Sequence, residues 1–251
     1  MTPASRVRYL GWRALAADSP IQVKLRTGER LIIRPARGKD SYDLSVAHEI
    51  FVGNCYLPPP EFRIGRVSRV LDVGANVGYA SLFFARIFPA ATIEAFEPYP
   101  VHIDLIRAHL ALNRLEERVK VHPFAVGVLS ASGFMSDAGP CSSVSGDDGA
   151  IPVRIEDLFD SVGDRQIDFL KLDCEGAEYD IVMDERFSHL PVGTLVMEWH
   201  DNERRSGTRD VLHRRLLELG WHVQLGQEVS FDPPVSGLVR AGLMWCRRNN
   251  Q

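Results

Sequence analysis

Two short segments concentrate groups able to move a proton or hold a cation. Lys171-Leu-Asp173-Cys174-Glu175 closes one apolar run, Ile167–Leu172, and Glu198-Trp199-His200-Asp201 closes another, Thr194–Trp199. Alternation along an extended chain puts Lys171, Asp173 and Glu175 on one face, and Glu198 and His200 on one face of the neighbouring run. A histidine oriented by a carboxylate, near its unperturbed pKa of about 6.5, serves as a general base. The set Asp173, Glu175, Glu198 and His200 could instead ligate a divalent cation, with oxygen-rich ligation selecting Mg, Mn or Ca over zinc. The base is the favoured reading, because carboxylates at a rim are common without a metal. Glu178 and Asp201 read more simply, as a first-turn acid complementing a helix dipole and as a loop carboxylate.

A third segment supplies a binding turn. Asp72-Val-Gly74-Ala75-Asn76-Val-Gly78 follows the apolar run Ser68–Val73 and leads into a helical stretch reaching Phe88. Gly74 and Gly78 have no Cβ to obstruct a tight turn or the approach of a ligand, and a helix start presents free N–H groups. Glu97-Pro98 ends the next strand, 25 positions after Asp72, where a carboxylate can accept hydrogen bonds from a ribose diol. The dinucleotide spacing G-x-G-x-x-G is not met, since Asp72 stands where its first glycine is expected. An acid there repels a pyrophosphate and suits a cation. S-adenosylmethionine carries a sulfonium, an ammonium and a ribose but no phosphate, so the turn favours that cofactor over NAD.

Bringing these segments together requires strands that all end at one rim. From Val67 onward strands and helices alternate. Strands are expected at Ser68–Val73, Thr92–Phe96, Arg118–Val121, Ile167–Leu172 and Thr194–Trp199, and helices at Gly78–Phe88, Pro100–Leu112, Ala177–Asp184 and Thr208–Leu219. That order demands a largely parallel sheet with helices on both faces, and ligands bind such sheets at the carboxyl ends of the strands. Trp221–Leu225 and Gly242–Cys246, joined without a helix, suggest an antiparallel edge. Ser130–Ala150, rich in Ser, Gly and Asp, reads as a long surface loop. Residues 1–66 differ: Ile21–Pro35 has a hairpin pattern around Thr27-Gly28, Asp40–Val52 has helical spacing, and Pro58-Pro59-Pro60 ends it. They are expected to form a flap on the main domain, residues 67–251.

Composition bounds the partners. The chain has 251 residues, 45% hydrophobic and 25% charged, and 29 basic against 33 acidic residues give a net charge of −4. No basic field invites nucleic acid, and no apolar run approaches the roughly 20 residues of a membrane span. Met1–Leu15 lacks the pattern of a secretory signal. The four cysteines, Cys55, Cys141, Cys174 and Cys246, are scattered singly, which argues against zinc or a disulfide framework and fits a reducing cytoplasm.

Val70–Gly78, Phe96-Glu97-Pro98 and above all Ile167–Glu178 resemble the FkbM family of S-adenosylmethionine-dependent methyltransferases. The similarity extends from about Arg34 to Trp199 and takes in Asp40, Glu49, Phe51 and Tyr56. It implies an α/β fold, a seven-stranded Rossmann-like class I methyltransferase sheet, mostly parallel with its last strand antiparallel. It implies methyl transfer to a hydroxyl oxygen of a small-molecule acceptor, a sugar or a secondary metabolite. By that resemblance Asp72, Gly74, Ala75, Asn76 and Gly78 line the methionine end of the donor, Glu97 and Pro98 meet the ribose, and Phe124, Ala125 and Val126 flank the adenine. Ser142, Ser143 and Tyr56 fall where family members place cofactor or lid contacts. Cys174 replaces a small aliphatic residue and reads as core.

Two rival readings remain. An NAD-dependent oxidoreductase would need a different glycine spacing and a hydride-transfer residue, and neither is found. A catalytically inactive cofactor-binding partner protein is weighed against by the set Lys171, Asp173 and Glu175. Acceptor contacts are expected from Ser130–Ala150, the flap and Asp201–Gly207. The acceptor's identity and the oligomeric state are not encoded in any recognisable pattern.

Overall fold

The computed structural model describes residues 1–6, 9, 19–35, 43–62, 64–135, 144–145, 151–202, 208–235 and 238–248. Its centre is a seven-stranded sheet in the order β12-β13-β11-β10-β3-β4-β5. The strands are β3 (Arg69–Val73), β4 (Thr92–Phe96), β5 (Val119–His122), β10 (Ile167–Leu172), β11 (Val192–Asn202), β12 (Trp221–Val235) and β13 (Leu238–Arg248). β5, β4, β3, β10 and β11 pair in parallel, so their carboxyl ends share one rim. Only β13 runs against its neighbours. It pairs with β12 in the antiparallel edge that the sequence suggested, lying between β11 and the outermost β12. Met244, Trp245 and Cys246 are buried, a content that suits an inner strand. β12, with Leu225 and Val229 exposed, takes the edge.

Alternation along β3 divides the core. Val70 packs on one side with Phe83, Phe84, Ile106 and Phe169, whereas Leu71 and Val73 face the other with Leu170, Leu195 and Met197. The first side is covered by α2 (Tyr79–Ile87), α3 (Pro100–Asn113) and the N-terminal elements; the second by α4 (Leu158–Val162), α5 (Ala177–Met183) and α6 (Thr208–Glu218). The hairpin of β1 (Ile21–Lys24) and β2 (Arg30–Ile33) and the helix α1 (Asp43–Phe51) form where the residue pattern places them. Leu31 and Ile33 bury against the same core as Ile106 and Leu110. The Ile32 N–H donates to His109 Nε2 at 2.8 Å and the Tyr79 hydroxyl donates to the Ile32 carbonyl at 2.7 Å, so the hairpin is anchored on α2 and α3. No helix among the described residues is long and apolar enough to cross a membrane.

The loop expected over Ser130–Ala150 is corrected in part. Ala131–Met135 forms a strand, β7, antiparallel to β9 (Ile151–Asp157). With β6 (Ala125–Gly127) and β8 (Val144–Ser145) they make a second sheet in the order β6-β9-β7-β8. Only Gly133 and Met135 of β7 point inward, too few apolar residues to betray a strand. Residues 136–143, including Cys141, Ser142 and Ser143, lie outside the described residues, as does Asp40.

Away from the carboxyl rim, an ion cluster ties β3, β4 and β5 together. Glu94 accepts from Arg69 Nε at 2.8 Å and lies 3.1 Å from His122 Nε2, while Arg69 also donates to the carbonyls of Arg165 and Val162. The His122 bond outweighs burial and, with Arg69, lowers the Glu94 pKa to about 2. A carboxylate depressed on folding stabilises above its unfolded pKa, and that contribution is lost as pH falls toward the folded value. Glu94→Gln is therefore expected to cost about 2–3 kcal/mol at neutral pH, since it leaves a buried guanidinium without its partner. The gap between variant and wild type should narrow as pH falls from about 4.5 toward 2. Denaturant melts across that range check this, and a gap independent of pH contradicts it.

Candidate active site

Near the rim, the last side chains of β10 include a lysine, Lys171, buried in the middle of the sheet. Lys171 is 2% exposed, a position that only full pairing permits. Its Nζ donates to the carbonyls of Gly74 at 2.8 Å and Val73 at 3.3 Å, and lies 3.3 Å from Asp72 Oδ1 and 3.2 Å from Asp173 Oδ2. The Tyr56 ring sits 5.5 Å away, in cation–π range. Burial works to lower the lysine pKa, but Asp173 and Asp72 overcome it and hold the ammonium above its usual range. Asp72 is fully buried and takes the Ser81 hydroxyl at 2.6 Å. Expected at the methionine end of the donor, Asp72 has no surface on the cavity described below; its carboxylate instead fixes Lys171.

β3 and β10 are direct neighbours, with Asp72 opposite Lys171, and the turn after β3 touches the segment after β10. Gly74 adopts φ +77°, and a Cβ there would stand 1.7 Å from the Asp173 carbonyl oxygen. No other residue fits. Gly78, at φ +86°, opens α2. Asn76 between them and Glu175 across the rim are non-glycine residues at φ 51° and 57°, a strained conformation that clusters at functional sites.

These segments enclose a cavity of about 190 Å³ whose walls include Gly74, Ala75, Asn76, Lys171, Asp173, Glu175, Glu198 and His200. All five groups expected to act on the acceptor therefore meet in one space. Val46, Glu49 and Ile50 of α1, with Tyr56, close one wall, and Leu238 and Ala241 another. Asp173 Oδ2 accepts from the Tyr56 hydroxyl at 3.0 Å as well as facing Lys171. Burial opposes ionisation of Asp173, but Lys171 and His200 keep its pKa below the ordinary value. Burial pushes Glu175 up to about 8, helped by Asp173 and Glu178 against the pull of His200. Glu198 is raised for the same reason, with Asp173 adding to burial. For His200 burial acts downward, and Glu178, Glu175 and Glu198 overcome it, holding the imidazole pKa well above normal.

Glu97 lies one strand away, buried at 4% exposure. Its Oε2 accepts the Asn76 N–H at 2.8 Å and its Oε1 the Tyr99 N–H at 2.9 Å. Oε1 also lies 3.5 Å from His102 Nδ1, and no other hydrogen bond to either oxygen is made by the described residues, so each can take a further donor. Pro98 is half-buried beside it. Phe124 packs edge-on against Phe96 at 5.7 Å, Val126 joins the core, and Ala125 is half-buried; none of the three lines the cavity. Cys174 is half-buried against the core side that faces α5.

Two residues take parts that sequence reasoning missed. Glu178, read as a first-turn acid, is 1% exposed, accepts the Cys174 and Gly176 N–H groups, and faces His200 Nδ1 at 3.7 Å. Glu49 stands at the cavity mouth with Val46 and Ile50. Its signal was a carboxylate on the apolar i, i+3, i+4 face of α1. Asp201 proves structural, accepting the Thr208 N–H at the start of α6 at 2.7 Å and pairing with Arg240.

Comparison with known proteins is consistent with this geometry. A family model described as the methyltransferase FkbM domain matches residues 72–222. Methyltransferase sdnD of Sordaria araneosa is 29% identical over 219 residues, covering 70% of this chain and 80% of the relative. The 31-O-demethyl-FK506 methyltransferase FkbM of Streptomyces tacrolimicus is 44% identical over 72 residues, 28% of this chain and 27% of that protein. In fold, the chain is similar to TYW2 of Pyrococcus horikoshii, with a TM-score of 0.51 at 12% identity over 97% of this chain and 82% of that one. The fold is thus the Rossmann-like one of class I methyltransferases, and the chain belongs to the FkbM methyltransferase family.

Proposed function

We propose that the chain binds S-adenosylmethionine against the Asp72–Gly78 turn and methylates a hydroxyl oxygen of a small molecule held in the adjoining cavity. The observation that carries this reading is the single cavity that joins the glycine turn to Asp173, Glu175, Glu198 and His200. The residues fit the cofactor: Gly74 leaves no Cβ in the turn, and each oxygen of buried Glu97 can take a further donor from a ribose diol. When bound, the cofactor supplies an electrophilic methyl group on a sulfonium.

The chain's own residues do the rest. Glu97 accepts the ribose hydroxyls, and Phe124, Ala125 and Val126 provide the apolar flank for the adenine. Lys171 holds Gly74 and Asp173 in fixed relation, so that positioning, worth up to about 7–11 kcal/mol, is built in before the acceptor arrives. Val46, Ile50, Leu238 and Ala241 exclude water around the reacting atoms. Asp173, Glu175, Glu198 and His200 surround an acceptor hydroxyl with polar partners along the path by which its proton leaves. An acidic mouth on a chain of net charge −4 repels nucleic-acid phosphates, which favours a small-molecule acceptor. The name of the Streptomyces tacrolimicus relative, which places its methyl group on an oxygen, supports O-methylation over other acceptors.

Two variants test the assignment. Glu97→Ala removes two charge-assisted bonds of about 1.5–3 kcal/mol each, so its affinity for S-adenosylhomocysteine should fall about a hundredfold or more by calorimetry; unchanged affinity refutes the ribose contact. His200→Ala should retain affinity within about twofold and lose turnover of methyl-labelled donor with hydroxylated acceptors by about a hundredfold or more. Turnover surviving that change removes His200 from the reaction.

A further inference from the structure

His200 is poorly served by its own fold. It is 6% exposed, yet its Nδ1 has no hydrogen-bond partner. Glu175 Oε2 and Glu198 Oε1 stand 3.7 and 4.0 Å from its Nε2, and Glu178 Oε1 stands 3.7 Å from Nδ1. All three distances exceed hydrogen-bond reach. Nδ1 faces Glu178, so the room for a further partner lies on the other side of the ring, where Nε2 meets the cavity between Glu175 and Glu198.

The neighbours are arranged around such a gap. One ligand atom each from Asp173, Glu175 and His200 lies within 4.8 Å of the others. A hard divalent cation with bonds of about 2.1–2.3 Å holds its ligands about 3 Å apart when adjacent and up to about 4.6 Å when opposite, so side-chain movements of about an ångström or less close the set. Asp173 is already aimed: Lys171 and Tyr56 hold its Oδ2, and Oδ1 has no partner among the described residues. Glu175 is held at φ 57° with its carboxylate toward His200. Glu178, behind Nδ1, takes two backbone N–H groups and stands where a carboxylate would orient a metal-ligating imidazole.

We propose that Asp173, Glu175 and His200 Nε2 bind a magnesium- or manganese-type divalent cation, with Glu178 as the positioning carboxylate behind Nδ1 and Glu198 beside the open coordination positions. An imidazole committed through Nε2 is no base, so this assignment replaces the base role favoured from sequence. The ion's chemical use rests on the methyl-transfer reading, whereas its binding does not. In that use the acceptor's O–C bond forms as the donor's S–C bond breaks, the hydroxyl proton passes to water, and the ion's charge makes that proton easier to lose.

The test titrates Mn²⁺ into chelator-stripped full-length protein, followed by electron paramagnetic resonance, with S-adenosylhomocysteine calorimetry in parallel. One Mn²⁺ per chain is expected, weakened about tenfold or more in Glu175→Gln and in His200→Ala, and less in Glu178→Gln. Retained S-adenosylhomocysteine affinity and an unchanged circular dichroism melt certify the fold of each variant. No binding at about 1 mM Mn²⁺, or binding that neither ligand variant changes, overturns the site. If Mn²⁺ binds as expected but wild-type protein ignores S-adenosylhomocysteine, the cation site stands and the methyl-transfer reading falls.

Discussion

The ammonium of Lys171 is the group on which the geometry of the rim depends. A charge buried in a central strand carries a desolvation penalty that a carboxylate alone seldom offsets. Here two carboxylates, two backbone carbonyls and an aromatic ring surround it. As stability alone the arrangement is a poor bargain, since an apolar side chain of similar volume would suit β10, whose other inner residues are Ile167, Phe169, Leu170 and Leu172. What the lysine supplies is registration. It joins the end of β3 to the end of β10 and fixes Gly74 against the Asp173 carbonyl, leaving no room for a Cβ. The binding turn and the acidic segment are thereby held as one rigid unit.

That unit is short of positive charge. With Lys171 committed to Asp72 and Asp173, His200 is left facing Glu175, Glu178 and Glu198. The imbalance bears on how these groups ionise: burial and neighbouring carboxylates drive Glu175 and Glu198 up toward neutrality, and the carboxylates around His200 hold it toward its cation. A site in this condition gains most from a guest that brings positive charge. A sulfonium and a divalent cation both do so, and they relieve different parts of the same deficit, one beside the glycine turn and the other beside His200. Thiol chemistry gains nothing here. Burial, reinforced by nearby carboxylates, lifts Cys55 and Cys174 far from thiolate formation, so neither can serve as a nucleophile.

How much of this was legible in the sequence follows from which physical signal each residue carried. Parallel strands buried on both faces read as apolar runs, and their ends are marked by the first polar residues. That is why Asp173, Glu175, Glu198 and His200 could be assigned to one rim before any coordinate. Periodicity says which face a side chain occupies, but not how deep it lies. Asp72 was placed on the correct strand end and credited with a ligand, whereas it is sealed beneath the turn with Ser81 and Lys171. Glu178 failed for the complementary reason: a first-turn acid satisfies a helix start whatever else it faces. β7 escaped because two inward residues among Ser and Gly leave no alternation to detect, and the order of β12 and β13 depends on burial across strands distant in sequence.

Glu178 also explains how a strained segment persists. The stretch from Cys174 to Gly176 carries Glu175 at φ 57° and Gly176 at φ 107°, and such a turn leaves backbone N–H groups pointing away from any strand or helix. Glu178 collects two of them, at Cys174 and Gly176, from the first turn of α5. The acidic segment is therefore gripped from both directions, by Lys171 on the strand side and by Glu178 on the helix side. Glu175 has nowhere to relax. The remaining wall comes from α1 and Tyr56, more than a hundred residues earlier in the chain, with Tyr56 hydrogen-bonded to the same Asp173 oxygen that faces Lys171. The N-terminal elements thus complete the site as well as cover it, because without Tyr56 one of the two groups that aim Asp173 is gone.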